Sequence, residues 1–215
     1  MDMRGVVYRH VLEAYLSGVP TGSANAVARE LGISPNTVNI AIRTLAELGA
    51  ASIYSRSFEI TNFRKALMYW AATRKLHRDI VYSTFVGKGT KYIEDNMPGE
   101  VAFTAFTGYS LTYGNDVSDY GEVYVYAAEG MMADMARRFP KAILSRAKPD
   151  YADLVVLRPD AILEREMLHG KLLIPAVKPT QICVDLWNVS GWAAPRFFDT
   201  LYGRLTATPP DTAKI

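Results

Sequence analysis

The segment from Ser34 to Ile60, "SPNTVNIAIRTLAELGAASIYSRSFEI", constrains the fold more than any other part of the chain. Ser34 is a residue type that caps helices, and Pro35 follows it at the first helical position, where no backbone N–H is needed. The apolar residues of the predicted helix share one face: Val38, Ala41, Ile42, Leu45 and Leu48. Gly49 is suited to ending the helix, and the alternation in residues 51–60 predicts a small hairpin after it.

Two further helices are predicted before this segment. Residues 3–17 repeat apolar side chains at helical spacing, and "GVPTG" then breaks the pattern. Ser23 can cap a second helix, and Gly32 allows the sharp turn that separates it from the third. The inner face of this second helix is Ala24, Val27, Ala28 and Leu31. Three helices followed by a hairpin predict a winged helix-turn-helix domain over residues 1–62.

The outward face of the third helix is polar and carries few charges: Asn36, Thr37, Asn39, Ile40, Arg43, Thr44 and Glu47. In the major groove of DNA, Asn pairs with adenine, Arg pairs with guanine, and Thr contacts a methyl group or a phosphate. A helix N-terminus also favours a phosphate. We therefore expect double-stranded DNA as the partner, bound by the following residues: Ser34, Asn36, Thr37, Asn39, Arg43, Thr44 and, at the hairpin tip, Arg56. The alternative is a helical core piece used for dimerisation or protein contact, which does not explain the lack of Glu/Lys pairs.

Charge is distributed unevenly along the chain. Through residue 80 there are ten Lys and Arg against six acids, which gives +4 there and −2 in the remainder of a chain with net charge +2. A basic front on a slightly acidic body fits a nucleic-acid-binding module joined to a second domain, although a chance fluctuation explains it equally well. Asn62 can cap a long helix on which Arg64, Lys75 and Arg78 fall on nearly the same side, either against phosphates or in solvent.

The rest of the chain predicts a mixed α/β domain. Residues 63–96 are predicted as linking helices, 97–208 as an α/β regulatory domain, and 209–215 as a flexible tail. Strands are expected within "EVAFTAFTGYSLTYG", which runs into a helix, and within "GEVYVYAA", "ADLVVLRP" and "GKLLIPAV". Helices are expected in "GMMADMARRF", "KPTQICVDLWN" and "APRFFDTLYGRL". The predicted fold class is thus α+β, a winged helix-turn-helix followed by a mixed α/β domain.

Two resemblances to known families follow from these residues. The stretch "AVARELGISPNTVNIAIRTLAELGA" resembles the helix-turn-helix of bacterial and archaeal winged-helix repressors, including the GntR type. The body resembles AbiEi-type antitoxins, the transcriptional regulators of type IV toxin–antitoxin pairs. Its matching residues are Thr107, Gly108, Ser110, Val177, Pro179, Gln181, Asp185 and Leu186. The chain departs from that pattern at Trp187 and Asn188 and in an extended helix from Trp192 to Leu205. The resemblance implies promoter binding, autoregulation, an antitoxin role for the domain over residues 97–208, and a cognate nucleotidyltransferase-like toxin as functional partner.

No catalytic, metal or cofactor site is predicted. The three histidines are far apart and none lies near Cys183, so no zinc spacing is present. Neither a phosphate loop nor a nucleophile elbow is found. Four acids and a lysine are candidates for a metal nuclease centre: Asp153, Asp160, Glu164, Glu166 and Lys171. Such a centre needs carboxylates converging from adjacent strand ends, whereas residues 164–166 also fit a solvated strand or turn.

Three points stay open at this stage. A GntR-like repressor with a small effector is the main alternative, with Tyr109, Tyr113, Tyr124 and Tyr126 lining its pocket. Asp185 either bonds a backbone amide, pairs with Lys178 or Arg196, or faces solvent. An aromatic-rich end is expected to fill core, and part of it is available for a homodimer or another partner: Trp187, Trp192, Phe197, Phe198 and Tyr202.

The expected compartment is the cytoplasm. Cys183 is the single cysteine, so no intramolecular disulfide is possible. The N-terminus lacks an apolar signal core, and no apolar run approaches the roughly 20 residues of a membrane span. We therefore expect no membrane partner.

Overall fold

The computed structural model describes residues 3–140, 151–170, 172 and 174–207, and in these residues the chain is α+β. It contains ten α-helices and two small sheets there. The helices are α1 (Met3–Leu16), α2 (Ala24–Leu31), α3 (Pro35–Glu47), α4 (Phe63–Thr73), α5 (Thr90–Asp95), α6 (Ala105–Tyr113), α7 (Met132–Arg138), α8 (Ala161–Leu168), α9 (Pro179–Asn188) and α10 (Ala194–Ala207). The strands are β1 (Thr21–Gly22), β2 (Ala51–Ile53), β3 (Phe58–Ile60), β4 (Ile80–Thr84), β5 (Val101–Thr104), β6 (Val123–Ala127) and β7 (Leu154–Leu157).

The chain divides into two compact units. The first comprises Met1–Arg74, Lys178–Val184 and Asp199–Ile215, and the second comprises Lys75–Val177 and Asp185–Phe198. Helices α9 and α10 therefore each supply residues to both units. The first unit thus contains two C-terminal segments in addition to the N-terminal helices and hairpin.

The core of the first unit is formed by the inner faces of its helices. Val38, Ala41, Ile42 and Leu45 of α3 are buried, as their spacing predicts. Leu48 was expected on the same face, but 42% of its surface is exposed. It occupies the C-cap, where the chain leaves the helix before Gly49 turns at a φ of 66°.

The hairpin that follows α3 is part of a three-stranded sheet. Strands β2 and β3 pair antiparallel, and the Tyr54 N–H donates to the Ser57 carbonyl at 2.8 Å across the turn. Strand β1 pairs with the other edge of β3 and was not predicted, since two residues in a Pro/Gly segment carry no periodicity. A Cβ at Gly22 would lie 2.9 Å from the Phe58 ring, so glycine fits there without displacing that buried ring.

The predicted basic stripe along one long helix is wrong. Asn62 caps α4 as expected, by accepting from the Lys65 N–H at 3.0 Å. However, α4 ends at Thr73, and a short 3-10 helix, Leu76–Asp79, follows it. The extended backbone of Arg74, with a ψ of 132°, separates the two helices. Lys75 and Arg78 therefore do not continue the face of α4.

The second unit is built on a four-stranded sheet with the order β4-β7-β6-β5. Strands β6 and β7 are parallel, and the other two pairs are antiparallel. Every residue of β6 is buried, so its alternating valines and tyrosines contact two buried faces. Val123, Val125, Leu154 and Val156 pack with Met135 and other apolar side chains on one of them.

Several predictions for the chain beyond residue 62 were confirmed and others were not. Strands β5, β6 and β7 and helices α6, α7, α9 and α10 lie where the sequence predicts them. Helix α5 lies within residues 63–96, which the sequence predicted as linking helices, but residues 80–84 of that range form strand β4. Residues 161–168 form a helix, not a strand or turn. At "GKLLIPAV" the described residues form only an isolated bridge between Phe103 and Ala176. The tail expected at 209–215 lies outside the described residues.

In the part of the chain that the structure describes, none of the helices has both the length and the apolar character of a membrane span.

Candidate nucleic-acid interface

The N-terminus of α3 is held by its cap. Ser34 Oγ accepts from the Thr37 N–H at 3.2 Å and lies 2.9 Å from Thr37 Oγ1. The two hydroxyl groups are therefore engaged with each other and with the helix backbone. Asn36, in the first turn, is exposed. The cap fixes the direction in which the first turn of α3 presents its N–H groups.

The outward face of α3 is exposed, as its sequence pattern predicts. Asn39, Ile40, Arg43 and Glu47 are all exposed on this face. Thr37 and Thr44 are partly buried. Thr44 Oγ1 donates to the Ile40 carbonyl at 3.0 Å, so its proton points back to the helix. The exposed face thus presents one amide, one guanidinium and one large apolar side chain near its centre.

Three of the predicted DNA-binding residues line one groove. The groove has a volume of about 260 Å³ and lies between the start of α2, helix α3 and the β2–β3 hairpin. Asn39 and Arg43 reach it from α3, and Arg56 reaches it from the hairpin turn. The remaining lining residues are Ser23, Ala24, Asn25, Ile42, Ile53, Tyr54, Ser55, Ser57 and Phe58. The other predicted residues, Ser34, Asn36, Thr37 and Thr44, are on α3 or at its cap but do not line this groove.

The electrostatic character of this groove is positive. Its lining contains two guanidinium groups and no carboxylate. Within the described part of the chain, neither Arg43 nor Arg56 forms an ion pair or a side-chain hydrogen bond. Two unpaired guanidinium groups facing one groove favour an anionic ligand, and Arg matches the geometry of phosphate oxygens.

Tyr54 lines the same groove as Arg43 and Arg56. Its hydroxyl donates to Glu59 Oε2 at 3.0 Å. This hydrogen bond and the charge of Glu59 raise the pKa of Tyr54, so the phenol stays protonated. The Glu59 carboxylate is thereby bound to an uncharged donor of the same hairpin.

Sequence reasoning missed Asn25 and Tyr54 as groove residues. Asn25 lies in the first turn of α2, which Ser23 caps by accepting from the Ala26 N–H at 3.2 Å. The cap signal located the start of α2 correctly. The sequence did not reveal that β1 pairs with β3. This pairing places the start of α2, which follows β1 directly, close to the hairpin.

The tyrosines considered as an effector pocket are mostly buried in the second unit. Tyr109 is fully buried, and its ring meets Phe197 edge-on at 5.1 Å. Its hydroxyl donates to Asp116 at 3.0 Å. Tyr124 donates to Glu122 at 3.1 Å, and burial together with this carboxylate raises the pKa of Tyr124. Tyr126 is also buried, and Tyr113 is partly buried. These contacts give the tyrosines a packing role.

The acids considered as a nuclease centre make structural contacts. Asp153 accepts from the backbone N–H groups of Val86 and Gly87, at 2.6 and 2.8 Å. Asp160 caps α8. Glu164 and Glu166 lie on α8, and Lys171 lies outside the described residues. Among the residues that the structure describes, no group of three His, Cys, Asp or Glu side chains could hold a metal ion.

Asp185, one of the residues on which the resemblance rests, is fully buried. Its Oδ2 accepts hydrogen bonds from Thr104 Oγ1 and from the Tyr126 hydroxyl, both at 2.8 Å. Gln181 is likewise buried and accepts from Arg9 at 3.4 Å. Both polar residues therefore belong to buried hydrogen-bond networks.

Comparison of the chain with protein families, curated proteins and solved structures gave no match. Any assignment of function therefore depends on the residues and contacts described above.

Proposed function

We propose that the chain is a DNA-binding transcriptional regulator whose first unit is a winged helix-turn-helix. In this proposal α2 and α3 are the helix-turn-helix, and the β2–β3 hairpin is the wing. One observation carries it: Asn39, Arg43 and Arg56 line a single groove that contains no carboxylate, and both guanidinium groups are unpaired among the described residues. Double-stranded DNA suits such a surface, because its phosphates pair with the guanidinium groups and its base edges form hydrogen bonds with Asn and Arg.

Each residue has a distinct role in this proposal. Helix α3 enters the major groove, where Asn39 pairs with adenine and Arg43 with guanine. Ile40, with 45% of its surface exposed, contacts a thymine methyl group. Arg56 binds the backbone or the adjacent minor groove from the wing. The N-terminal turn of α3, from Ser34 to Thr37, faces a phosphate, and Thr44 lies at the edge of the contact surface.

The proposal extends to an autoregulating antitoxin of the AbiEi type. Its support is the resemblance in the body of the chain. The cognate partner is then a nucleotidyltransferase-like toxin encoded by a neighbouring reading frame, and a homodimer would bind a palindromic operator. Expressing that neighbouring product with and without this chain tests the antitoxin role. Growth arrest relieved by the chain supports the role, and arrest that persists with soluble chain present removes it.

DNA binding is tested with the fragment upstream of the chain's own coding sequence. Fluorescence anisotropy at several salt concentrations gives the affinity and its salt dependence. Arg43→Ala is expected to cost about 1–3 kcal/mol on the operator and to relax specificity at one position. Arg56→Ala is expected to weaken binding on all sequences and to reduce the salt slope by about one.

Arg165→Ala is the matched control, because Arg165 is an exposed arginine on α8 of the second unit. It should leave the affinity and the salt slope unchanged. Wild-type affinity and slope in a double variant, Arg43→Ala with Arg56→Ala, would remove the proposed interface.

A further inference from the structure

A second cavity lies in the second unit, at the carboxyl ends of the two central strands of its sheet, β6 and β7. It has a volume of about 210 Å³ and is partly open to solvent. Its apolar wall consists of Val81, Ala127, Met132 and Pro159. Ala127 is the last residue of β6, and Pro159 follows β7 by two residues. Because β6 and β7 are parallel, the cavity lies at the carboxyl ends of neighbouring parallel strands, where ligands bind in open α/β sheets.

Three charged side chains line the same cavity: Glu129, Arg158 and Glu164. They come from three different places in the chain: the 3-10 turn after β6, the residue after β7 and helix α8. Within the described part of the chain, none of the three side chains forms an ion pair or a hydrogen bond. Opposite charges therefore face one small volume without neutralising each other directly, which leaves them available for a ligand with both signs of charge.

The backbone at Arg158 is held in place independently of its side chain. Its N–H donates to the Asp79 carbonyl at 2.7 Å, next to the start of β4. On the other side, Asp160 caps α8 by accepting from the Ile162 and Leu163 N–H groups. The backbone positions from which the Arg158 and Glu164 side chains extend are thus fixed by the fold. Such preorganisation lowers the cost of binding.

We propose that this cavity binds a small basic amino acid. Arg158 pairs with the ligand carboxylate, for which its planar guanidinium is suited. Glu129 and Glu164 each pair with one ammonium group, so the three ligand charges balance those of the site. The aliphatic stem packs on Val81, Met132 and Pro159. The volume is below the roughly 300 Å³ of sites for drug-sized ligands, which favours a metabolite of amino-acid size.

This inference does not depend on DNA binding, since all the lining residues belong to the second unit. The test is isothermal titration calorimetry of the full chain with three matched probes. L-lysine carries all three charges, L-norleucine lacks the side-chain ammonium, and cadaverine lacks the carboxylate. L-lysine is expected to bind saturably at millimolar concentrations or below, and more tightly than either of the other two probes.

Two variants assign the binding to this cavity. Arg158→Ala and Glu164→Gln are each expected to weaken L-lysine binding by about tenfold or more, because each removes a charge-assisted contact. Arg165→Ala and Glu166→Gln are the matched controls, since both residues lie on α8 but do not line the cavity. They should leave L-lysine binding unchanged, and circular dichroism should show all four variants folded.

The proposal is overturned by any of three results. The first is that L-lysine gives no saturable heat. The second is that cadaverine or L-norleucine binds as tightly as L-lysine. The third is that the Arg158→Ala variant binds L-lysine as tightly as the wild type does.

Discussion

The Asp185 carboxylate is completely buried and receives two hydroxyl donors, from Thr104 and Tyr126. Asp185→Ala would leave both hydroxyls without this acceptor, and an unsatisfied buried polar group costs about 1–3 kcal/mol each. We therefore expect Asp185→Ala to lower the free energy of unfolding by about 3 kcal/mol or more. Tyr126→Phe, which removes one donor only, is expected to cost about 1 kcal/mol. Urea unfolding followed by circular dichroism measures both, and equal losses would contradict the shared-acceptor role.

Glu13 offers a pH-dependent test at the scale of one residue. Burial raises the pKa of Glu13 above 4.5, even though Thr180 donates to its carboxylate from the backbone N–H at 2.9 Å and the hydroxyl at 2.6 Å. A raised pKa means that the folded state takes up the proton before the unfolded state does. The contribution of Glu13 to stability therefore increases as the pH falls through its folded pKa, and it levels off below the ordinary value.

Glu13→Gln removes this titration while keeping an oxygen that can accept from Thr180. The difference in unfolding free energy between wild type and Glu13→Gln should shift in favour of the wild type as the pH falls from neutral to about 4.5. Urea unfolding across this range measures the difference. Glu100→Gln, at an exposed loop position, is the control and should give a flat difference. A difference for Glu13→Gln that moves the opposite way would refute the assigned direction.

At the scale of elements, two substitutions at the N-cap of α3 allow its effect on stability to be measured separately from its effect on DNA binding. Ser34→Ala removes an N-cap and is expected to lower the unfolding free energy by about 1 kcal/mol. Ser34→Asp keeps a capping oxygen, so its stability should stay within about 0.5 kcal/mol of the wild type. The added negative charge should nevertheless weaken operator binding, if this turn faces a phosphate. Denaturation and anisotropy give the two quantities, and full affinity in Ser34→Asp would place the cap away from the DNA backbone.

The elements that the sequence predicted are those with local signals. Helices α2 and α3 have Ser caps and one-sided apolar faces, and the hairpin has alternating strands around a polar turn. Strand β4 carries no such signal: most of it is exposed, and its assignment depends on pairing with β7, about 70 residues later. Helix α8 is short, and in the sequence its N-cap, Asp160, is one of several acids that also fit a metal site.

The candidate interface was predictable to the same extent. Asn39 and Arg43 follow from the outward face of one helix, and Arg56 follows from a hairpin tip. Asn25 and Tyr54 required knowledge of which elements meet in space. The same holds for the three charged residues of the second cavity, Glu129, Arg158 and Glu164, which are up to 35 positions apart in sequence and come together only beyond the carboxyl ends of β6 and β7.

At the scale of the whole molecule, the first unit is not contiguous in sequence. Its N-terminal part is joined by Lys178–Val184 and Asp199–Ile215. Thr180 donates two hydrogen bonds to Glu13, and the Thr206 carbonyl accepts from Arg64 at 3.3 Å. The C-terminal segments therefore complete a unit whose proposed DNA-contacting residues all lie before residue 60.

This organisation predicts that the first 74 residues are insufficient for folding, although they contain every proposed DNA contact. Ile182, Val184 and Leu201 are fully buried, and burying such side chains contributes about 1.5–3 kcal/mol each. Their combined loss, about 5 kcal/mol or more, is comparable with the total stability of many domains. A chain ending at Arg74 should therefore give a poorly dispersed NMR spectrum and should not retard the promoter fragment. In the full chain, Leu201→Ala should retain the fold and lose about 2–5 kcal/mol in urea unfolding. Cooperative folding of the short chain, with the affinity of the full chain, would instead make the C-terminal segments dispensable to the first unit.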